Sequence, residues 1–260
     1  MRYALLAATF VLAISPCQAD GRQDAIQAPR FDGKVEPITM PIAVHPKPFP
    51  PSPSRLHRTI TARDGKTGEI ANITGRIFST VRGERSGANV IVTTTIDRFA
   101  GYHANQPTMY APGTKIRFVY GDGGTLGDMR IRGPGGSVIG DTEQANLLQI
   151  TFRQGIDVPR IVTGTRVLIA AFGFPGMPGH TVQTDGLVKG RAVFKDRPVA
   201  VVDYHGTVSG GPDKTEMDGY ILVDLETWMV VYSDWRTLTP IRQGKGVAHI
   251  REIAELTLRP

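Results

Sequence analysis

The sequence has a single cysteine, Cys17, among its 260 residues. No apolar run approaches the roughly 20 residues that a membrane-spanning helix needs. If that cysteine is removed with a leader peptide, the mature chain has no disulfide, no thiolate nucleophile and no cysteine-based metal site. The sequence therefore predicts a soluble mature protein that is held together by burial of its core.

The first 19 residues have the features of a cleavable signal peptide. A single charge, Arg2, precedes an apolar run from Ala4 to Ile14, and the small side chains of Cys17 and Ala19 fit the cleavage rule. We expect cleavage after Ala19 and a periplasmic or secreted protein. Lipidation of Cys17 is the alternative, which Pro16 disfavours because a small residue normally precedes a lipidated cysteine.

Basic residues exceed acidic residues only mildly. The chain has 30 Lys and Arg against 24 Asp and Glu, a formal net charge of +6, which falls to +5 when Arg2 is removed with the signal. Because both signs are interspersed, most charges are expected to be paired or solvated, and anionic partners are favoured weakly. For an exported chain we expect no nucleic-acid partner.

Residues 20–54 differ in composition from the rest of the chain. They show no sustained hydrophobic period, and seven prolines crowd the second half of the segment. Closely spaced prolines prevent helix formation and ladder pairing and favour extended polyproline II. We expect a proline-rich arm or linker, either a spacer or a strap on the domain. The run from His45 to Pro50 suggests docking in an aromatic groove as an alternative.

From residue 55 to the end, short apolar runs alternate with glycine-rich turns, the pattern of antiparallel strands. Nine strands are predicted: Arg76–Thr80, Asn89–Ile96, Lys115–Tyr120, Met129–Arg132, Arg166–Phe172, Leu187–Phe194, Val199–Val208, Tyr220–Leu225 and Met229–Asp234. Glu143 to Leu148 predicts a brief helix, and His249 to Leu258 fits a strand or a helix. Residues 55–260 are thus expected to form one mainly β domain, a curved sheet, half-barrel or sandwich with one or two short helices.

One predicted hairpin has an unusual turn. Leu225-Glu226-Thr227-Trp228 follows Asp224 and resembles an Asp-x-x-Thr-Gly turn, in which the aspartate and threonine tie the loop and the glycine is left-handed. Trp228 stands where that glycine is expected. Either the turn differs, or Trp228 carries a strain of about 1 to 3 kcal/mol because it covers the sheet edge or stacks on a ligand.

Several chemistries lack their motifs. The glycine clusters at 121–124 and 133–136 precede neither a clear helix nor a Gly-Lys-Ser/Thr sequence, which argues against nucleotide binding. The six histidines form no His-x-His or His-Glu-x-x-His pair, and the acidic loop with Asp213, Glu216 and Asp218 lacks the calcium-loop rhythm. We expect no cofactor and no metal.

The predicted strand from Val199 to Val208 places Asp203, His205 and Thr207 on one face. An aspartate that orients a histidine is the arrangement of a general base. No Gly-x-Ser-x-Gly motif accompanies the pair, and such a pair commonly forms the solvent face of an antiparallel strand. A hydrolase using Asp203 and His205 is therefore kept only as the second alternative to a non-catalytic protein.

Three predicted strands each carry two basic residues at alternating positions: Lys115 and Arg117, Arg130 and Arg132, and Lys189 and Arg191. Apolar residues such as Ile116, Ile131, Val188 and Ala192 fall on the opposite face. If these strands are neighbours, the sheet has an apolar concave side and a basic outer side. That arrangement suits an acyl chain inside and an anionic head group or membrane surface outside, although amphipathic alternation alone gives the same pattern.

The strand rhythm over Gly68 to Asp234 is similar to that of the open half-barrels of periplasmic lipoprotein and lipid carriers. The resemblance favours an exported, non-catalytic envelope protein that binds an apolar or amphipathic, lipid-like ligand or an envelope component in a sheet concavity. Eight large side chains are expected to line it: Phe118, Tyr120, Phe172, Tyr204, Tyr220, Trp228, Tyr232 and Trp235. The first alternative is a structural or protein-interaction module of the periplasm, favoured if the interior is solidly packed.

Overall fold

The computed structural model describes residues 28–47, 54–64, 70–100, 111–121, 124–139, 156, 158–173, 181–209, 215–237, 241–243 and 246–257. Fifteen strands lie in these residues: β1 Ile42–Ala43, β2 Ser54–Asp64, β3 Ile70–Ser86, β4 Asn89–Ala100, β5 Lys115–Tyr120, β6 Leu126–Arg132, β7 Val138–Ile139, β8 Arg160–Ile161, β9 Arg166–Gly173, β10 Thr181–Phe194, β11 Arg197–Ser209, β12 Thr215–Asp224, β13 Val230–Thr237, β14 Ile241–Gln243 and β15 Gly246–Thr257. A 3-10 turn at Pro134–Gly136 is the one helical element in the described residues. No helix in the described residues is both long and apolar enough to span a membrane.

Thirteen of the fifteen strands form one curved antiparallel sheet. Its order is β7-β6-β5-β4-β3-β2-β15-β13-β12-β11-β10-β9, with β14 paired to β15 beside this path and β1 paired to β8 separately. In the described part of the chain the end strands β7 and β9 do not pair with each other, so the sheet stays open. The predicted fold class, a mainly antiparallel β protein with a curved sheet, is confirmed.

The C-terminal segment, ambiguous in sequence, is a strand. Residues of β15 pair with β2 over ten positions and with β13 over five, so the segment sits at the centre of the sheet. Its buried side chains alternate at Glu252, Ala254 and Leu256, the period of a strand. The predicted helix from Glu143 to Leu148, the signal peptide and Cys17 lie outside the described residues.

The buried apolar side chains form two clusters. On β11, Val199 and Val201 belong to the first cluster, and Ala200, Val202 and Tyr204 belong to the second, so the two clusters lie on opposite faces of that strand. The first cluster continues across one face of β2 to β6. Strand β11 is therefore buried on both faces, whereas β2 to β6 bury mainly one face; Ile91 of β4, 6% exposed, is a buried apolar residue on the other.

Residues 28–47, called the strap below, lie against the sheet. Glu36 and Arg191 exchange two backbone hydrogen bonds of 2.8 Å, at a part of β10 that extends beyond its pairing with β9. Further along, β1 pairs with β8, and Ile38 and Val44 are only 4% and 0% exposed in the second cluster. The strap thus occupies the open edge of β10 and then covers the second cluster.

Glycine at position 190 makes this crossing feasible. A Cβ there would lie 2.3 Å from the Glu36 carbonyl oxygen and 2.8 Å from Val35 Cγ1, and φ is +153°. The pairing of β10 with β11 shifts by one residue at this point. As a result Val188 and Ala192, which strict alternation places on one face, belong to opposite clusters.

The turn after β12 forms as its sequence predicts. Asp224 accepts hydrogen bonds from the Thr227 amide at 3.0 Å and its hydroxyl at 2.6 Å, while Arg197 donates to it through Nε and Nη2 at 3.1 and 2.9 Å. Trp228 has φ of +62° and is 4% exposed in the second cluster. The Trp228 backbone is therefore strained, and packing of the indole in the second cluster holds it in this conformation.

Candidate functional site

One face of β2 to β6 is open to solvent and basic. Its side chains alternate along the strands with those of the first cluster. Eight cationic residues define this surface, called the basic face: Arg55, Arg76, Arg82, Arg98, Lys115, Arg117, Arg130 and Arg132. Three acidic residues share it: Glu84, Asp97 and Asp128. Eight cations against three anions leave an excess of five positive charges, nearly the whole formal net charge of +6.

The strongest local charge lies where β5 meets β6. Lys115 stands directly opposite Arg132, and Arg117 directly opposite Arg130. Like charges in directly opposed positions destabilise a sheet. Asp128 contacts Arg117 at 4.0 Å and Arg130 at 3.0 Å, but within the described residues neither Lys115 nor Arg132 has an ion-pair partner. This end of the basic face therefore holds unneutralised positive charge.

A stack of planar groups crosses the middle of the basic face. The rings of His57 and Phe78 are stacked with centroids 4.6 Å apart, and the Arg98 guanidinium carbon lies 4.3 Å from the Phe78 centroid. A cation over an aromatic face is attracted by the ring quadrupole. The stack therefore orders Arg98 and presents aromatic surface among the cations.

Lys189 and Arg191 lie elsewhere, on β10 in the second half of the sheet. Lys189 Nζ is 3.9 Å from Asp203, and Arg191 Nη2 is 3.4 Å from Glu36 of the strap. The register of β10 against β11 shifts beside Gly190, and Lys189 is the extra residue at this shift. The shift breaks the regular alternation that would place Lys189 and Arg191 on one face. The structure thus brings four of the six predicted basic residues together and separates these two.

Of the eight large side chains expected to line one concavity, the seven that the structure describes are divided between the two clusters. Phe118 and Tyr120 are 0% and 1% exposed in the first cluster. Tyr204 and Trp228 are buried in the second, and Trp235 packs against it. Tyr220 and Tyr232 also belong to the first cluster, and Phe172 has only its backbone described, in β9. The seven described side chains pack in or against the two clusters and do not share one surface.

Four rings form a chain on the second half of the sheet. Centroid distances are 6.0 Å from Phe31 of the strap to Tyr220, 5.7 Å from Tyr220 to Tyr232, and 5.4 Å from Tyr232 to Phe194. Burial, and secondly the neighbouring Tyr232, raises the pKa of Tyr220, and burial, and secondly Asp234, raises the pKa of Tyr232. Sequence reasoning missed Phe31, whose one signal is a lone aromatic residue in a polar segment.

Buried charges also went unnoticed in the sequence. Arg58 and Glu252, 7% and 8% exposed, form an ion pair between β2 and β15. Asp234, 4% exposed, accepts two hydrogen bonds from Arg251 at 3.0 and 2.7 Å. Burial, and secondly the charge of Glu252, raises the pKa of Tyr204 well above its usual value. In the sequence, such a buried charge is indicated by a charged residue at a strand position whose neighbours two residues away are apolar core residues.

His205 has a different carboxylate partner from the one that the sequence suggests. Its Nδ1 lies 2.5 Å from Asp218 Oδ1, on the neighbouring strand β12, whereas Asp203 contacts Lys189. Burial raises the pKa of Asp203, while Lys189 and Arg30 lower it. The His205 side chain is 55% exposed, and the described residues contain no group of three or more ligands that could hold a metal. The arrangement gives the hydrolase hypothesis no further support.

Taken by fold and surface, the molecule is an open antiparallel β-sheet protein with one basic face. No protein-family model and no curated protein matches the chain. Two solved structures show partial similarity. A DUF1329 family protein from Desulfovibrio piger is 11% identical, with 79% of this chain and 83% of that chain covered and a TM-score of 0.29.

The second is a Bacteroides fragilis protein described as exported, with a YmcC-like fold. It is 11% identical, with 83% of this chain and 98% of that chain covered and a TM-score of 0.32. At these TM-scores neither similarity says what this chain binds or where it acts.

Proposed function

We propose that this chain is a non-catalytic, exported module that binds an anionic membrane surface through its basic face. The observation that carries the proposal is the pair of directly opposed like charges, Lys115 with Arg132 and Arg117 with Arg130. Repulsion between these opposed cations raises the free energy of the protein when no anion is bound. Anionic head groups above the strands would relieve the repulsion, so the same residues would favour the bound state.

The size of the charge is sufficient for reversible binding. Each Lys or Arg close to an anionic membrane contributes about 1 kcal/mol. The basic face has an excess of five positive charges, so electrostatic attraction on the order of 5 kcal/mol is available, which corresponds to a dissociation constant of roughly 0.2 mM. High salt would weaken it because exposed charges are screened.

An exposed apolar side chain beside these cations favours a lipid surface over a soluble polyanion. Val138 of β7 is 73% exposed and stands directly opposite Arg132. An apolar residue among cations is the composition of interfacial membrane contacts, in which charges meet head groups and apolar groups enter the acyl boundary. A signal peptide cleaved after Ala19 would deliver the module to a compartment with such surfaces.

The carrier hypothesis has weaker support. Its ligand would occupy the apolar side of the sheet, where Phe118, Tyr120 and their neighbours in the first cluster are inaccessible to solvent. An interaction module was the alternative favoured by such packing. A lipid-like ligand in a sheet concavity therefore stays a prediction, and the proposal rests on the outer face.

Vesicle sedimentation tests the proposal. Vesicles with about one third phosphatidylglycerol in phosphatidylcholine should bind the wild-type chain, and pure phosphatidylcholine vesicles should not. The triple variant Lys115→Glu, Arg117→Glu and Arg132→Glu should lose at least about tenfold in affinity, since it removes three attractions and adds three repulsions.

A matched control carries the same charge change away from the basic face. Arg160→Glu, Arg166→Glu and Lys189→Glu alter three exposed cations on β8, β9 and β10. This variant should bind within about threefold of wild type when the face, and not net charge, is responsible. Equal losses in both triple variants would overturn the assignment to the basic face, and undiminished binding in the first would overturn the proposal.

A further inference from the structure

The strap consists of two parts that are held very differently. From Glu36 to Lys47 it is tied by backbone hydrogen bonds to Arg191, Pro159 and Thr227 and buries Ile38 and Val44. Within the described residues, no backbone hydrogen bond holds residues 28–35. Weakly held segments of this kind open locally at low free-energy cost. Residues 28–35 are called the latch below.

The ring of Phe31 is the main contact of the latch. It packs against the first cluster and meets the Tyr220 ring edge-on, with centroids 6.0 Å apart and planes at 61°. Tyr232 and Phe194 continue this row of rings beneath it. Edge-to-face contacts at such distances are favourable beyond the area that they bury. Phe31 therefore holds its position through packing on the first cluster and one edge-to-face contact with Tyr220.

The conformation of the latch depends on a glycine. A Cβ on Gly33 would lie 2.4 Å from Cζ and 2.5 Å from Cε1 of the Phe31 ring. Any side chain at this position must push the ring out of its place. Gly33 thus offers a second way to empty the position without removing the ring.

Polar groups border the ring position. Tyr220 and Tyr232 carry phenolic hydroxyls, and Tyr220 is paired in register with Asp234, which forms an ion pair with Arg251 of β15. A site with an apolar floor and a few polar groups at its border is typical of small-ligand recognition. It suits a ring that carries a polar substituent.

We propose that Phe31 is the built-in occupant of an aromatic-binding site and that the latch lifts when a ligand presents a phenyl-sized ring to Tyr220 and Tyr232. The latch ring is tethered at Glu36, only five positions away. A short tether gives an effective concentration in the millimolar range, so the ring competes with free ligands. The wild-type chain then binds weakly, and loss of the Phe31 ring exposes the full affinity.

Two probes distinguish a free aromatic compound from an aromatic side chain. The first is N-phenyl-1-naphthylamine, whose fluorescence rises in apolar sites. The second is a synthetic peptide of residues 28–35 of this chain, Ala-Pro-Arg-Phe-Asp-Gly-Lys-Val, with an alanine-for-phenylalanine peptide as its control. Binding of either probe supports the site, and the probe that binds identifies the source of the ring.

Four variants test the assignment with the full mature chain. Phe31→Ala should bind one probe molecule per chain at least about tenfold more tightly than wild type, because the tethered Phe31 ring no longer competes with the probe for the site. Gly33→Ala should shift binding in the same direction. Phe31→Ala combined with Tyr232→Ala should lose the gain. Phe78→Ala, which removes a ring from the basic face, should behave as wild type.

The outcome is read together with circular dichroism and thermal unfolding, so that a misfolded variant is recognised. Equal binding of both probes by wild type, Phe31→Ala and the double variant would falsify the proposal. The proposal would also be overturned if neither probe bound to Phe31→Ala or to Gly33→Ala, the two variants that displace the Phe31 ring in different ways. The result can fail separately from vesicle binding, because the rings of the site belong to the latch and to strands β10, β12 and β13, whereas the basic face belongs to β2 to β6, with β15 between them.

Discussion

Strands β2 to β6 bury one face and leave the other to solvent, whereas β11 to β13 are covered on both faces. The sequence reflects this difference. The exposed face of the first half carries mainly Arg, Lys and Thr, whereas β11 near its start reads Val199-Ala200-Val201-Val202, with all four residues at most 1% exposed. Continuous apolar runs are typical of strands buried on both sides.

The two halves of the sheet have different roles: the covered half mainly determines the stability of the fold, and the open half provides a surface for binding. In the covered half, two clusters, a strained tryptophan and the anchored strap depend on one another. In the open half, the basic face contributes little to the core, so its charges are free to serve binding. Changes in the covered half should therefore alter the free energy of unfolding, and changes on the basic face should alter partner affinity.

The largest loss of stability is expected for Gly190→Val. The new side chain would collide with the Glu36 carbonyl and Val35 and so expel the strap. The loss of Ile38 and Val44 from the second cluster costs about 1.5 to 3 kcal/mol each, so we expect a loss of about 3 to 6 kcal/mol in the free energy of unfolding. Urea denaturation measures it, and hydrogen exchange should show residues 36–47 unprotected.

Gly87→Asn provides the control for Gly190→Val. Gly87 has φ of +61° in the hairpin between β3 and β4, and a Cβ at this position would have nothing within 4 Å. Asparagine tolerates this conformation, so stability should change by less than about 0.5 kcal/mol. A Gly190→Val chain as stable as this control would show that the strap contributes little to the covered half.

The next largest effect concerns Trp228. Trp228→Ala should cost about 3 to 5 kcal/mol because a buried indole is lost from the second cluster. Trp228→Gly removes the same ring but relaxes φ of +62°, so we expect it to be about 1 kcal/mol more stable than the alanine variant. Paired urea titrations measure the difference, and an alanine variant more stable than the glycine variant would contradict the strain.

Local features could be predicted from the sequence with good accuracy. Strand β5 was predicted with its bounds, and the Asp224 turn with Trp228 in the glycine position was read from residue spacing alone. The shared basic side of Lys115, Arg117, Arg130 and Arg132 also follows from alternation, because β5 and β6 are joined by a short hairpin. In each case the determining contacts lie within one strand, one turn or one hairpin.

Long-range features could not be predicted, because no local pattern encodes register. The hydrogen bond between His205 and Asp218 depends on the register of β11 against β12, and the pairing of Glu36 with Arg191 spans 155 positions. The buried pair of Arg58 with Glu252 is 194 positions apart. One extra residue at Lys189 was enough to separate the two basic residues of β10 from the predicted face.

Alkaline pH offers a smaller test of the same contrast. Burial raises the pKa of Tyr204, Tyr220 and Tyr232, all in the covered half, above the usual value of 10.0. Their neutral forms are favoured by folding, so this stability is complete below pH 10 and is lost as pH rises above it. Between pH 10 and 11 we expect a loss of about 1 to 2 kcal/mol.

Urea denaturation across this pH range, with tyrosinate absorbance as the second signal, measures the alkaline effect. Tyr220→Phe removes one of the titrating groups and should reduce the slope of stability against pH. The Arg117→Ala variant on the basic face should leave the slope unchanged. Equal slopes in wild type and Tyr220→Phe would mean that Tyr220 does not resist ionisation in the folded chain.

The smallest expected effect is on the basic face itself. Arg98→Ala removes a guanidinium 4.3 Å from the Phe78 ring, an exposed cation–π contact worth about 0.5 to 1 kcal/mol. Arg82→Ala, also on the basic face, removes a cation that stacks on no ring among the described residues and should change stability by less than about 0.5 kcal/mol. A double-mutant cycle between Arg98 and Phe78 isolates the contact from the loss of charge. A coupling energy above about 2 kcal/mol would break the comparison, because the open half would then depend on its exposed face for stability as the covered half depends on its strap.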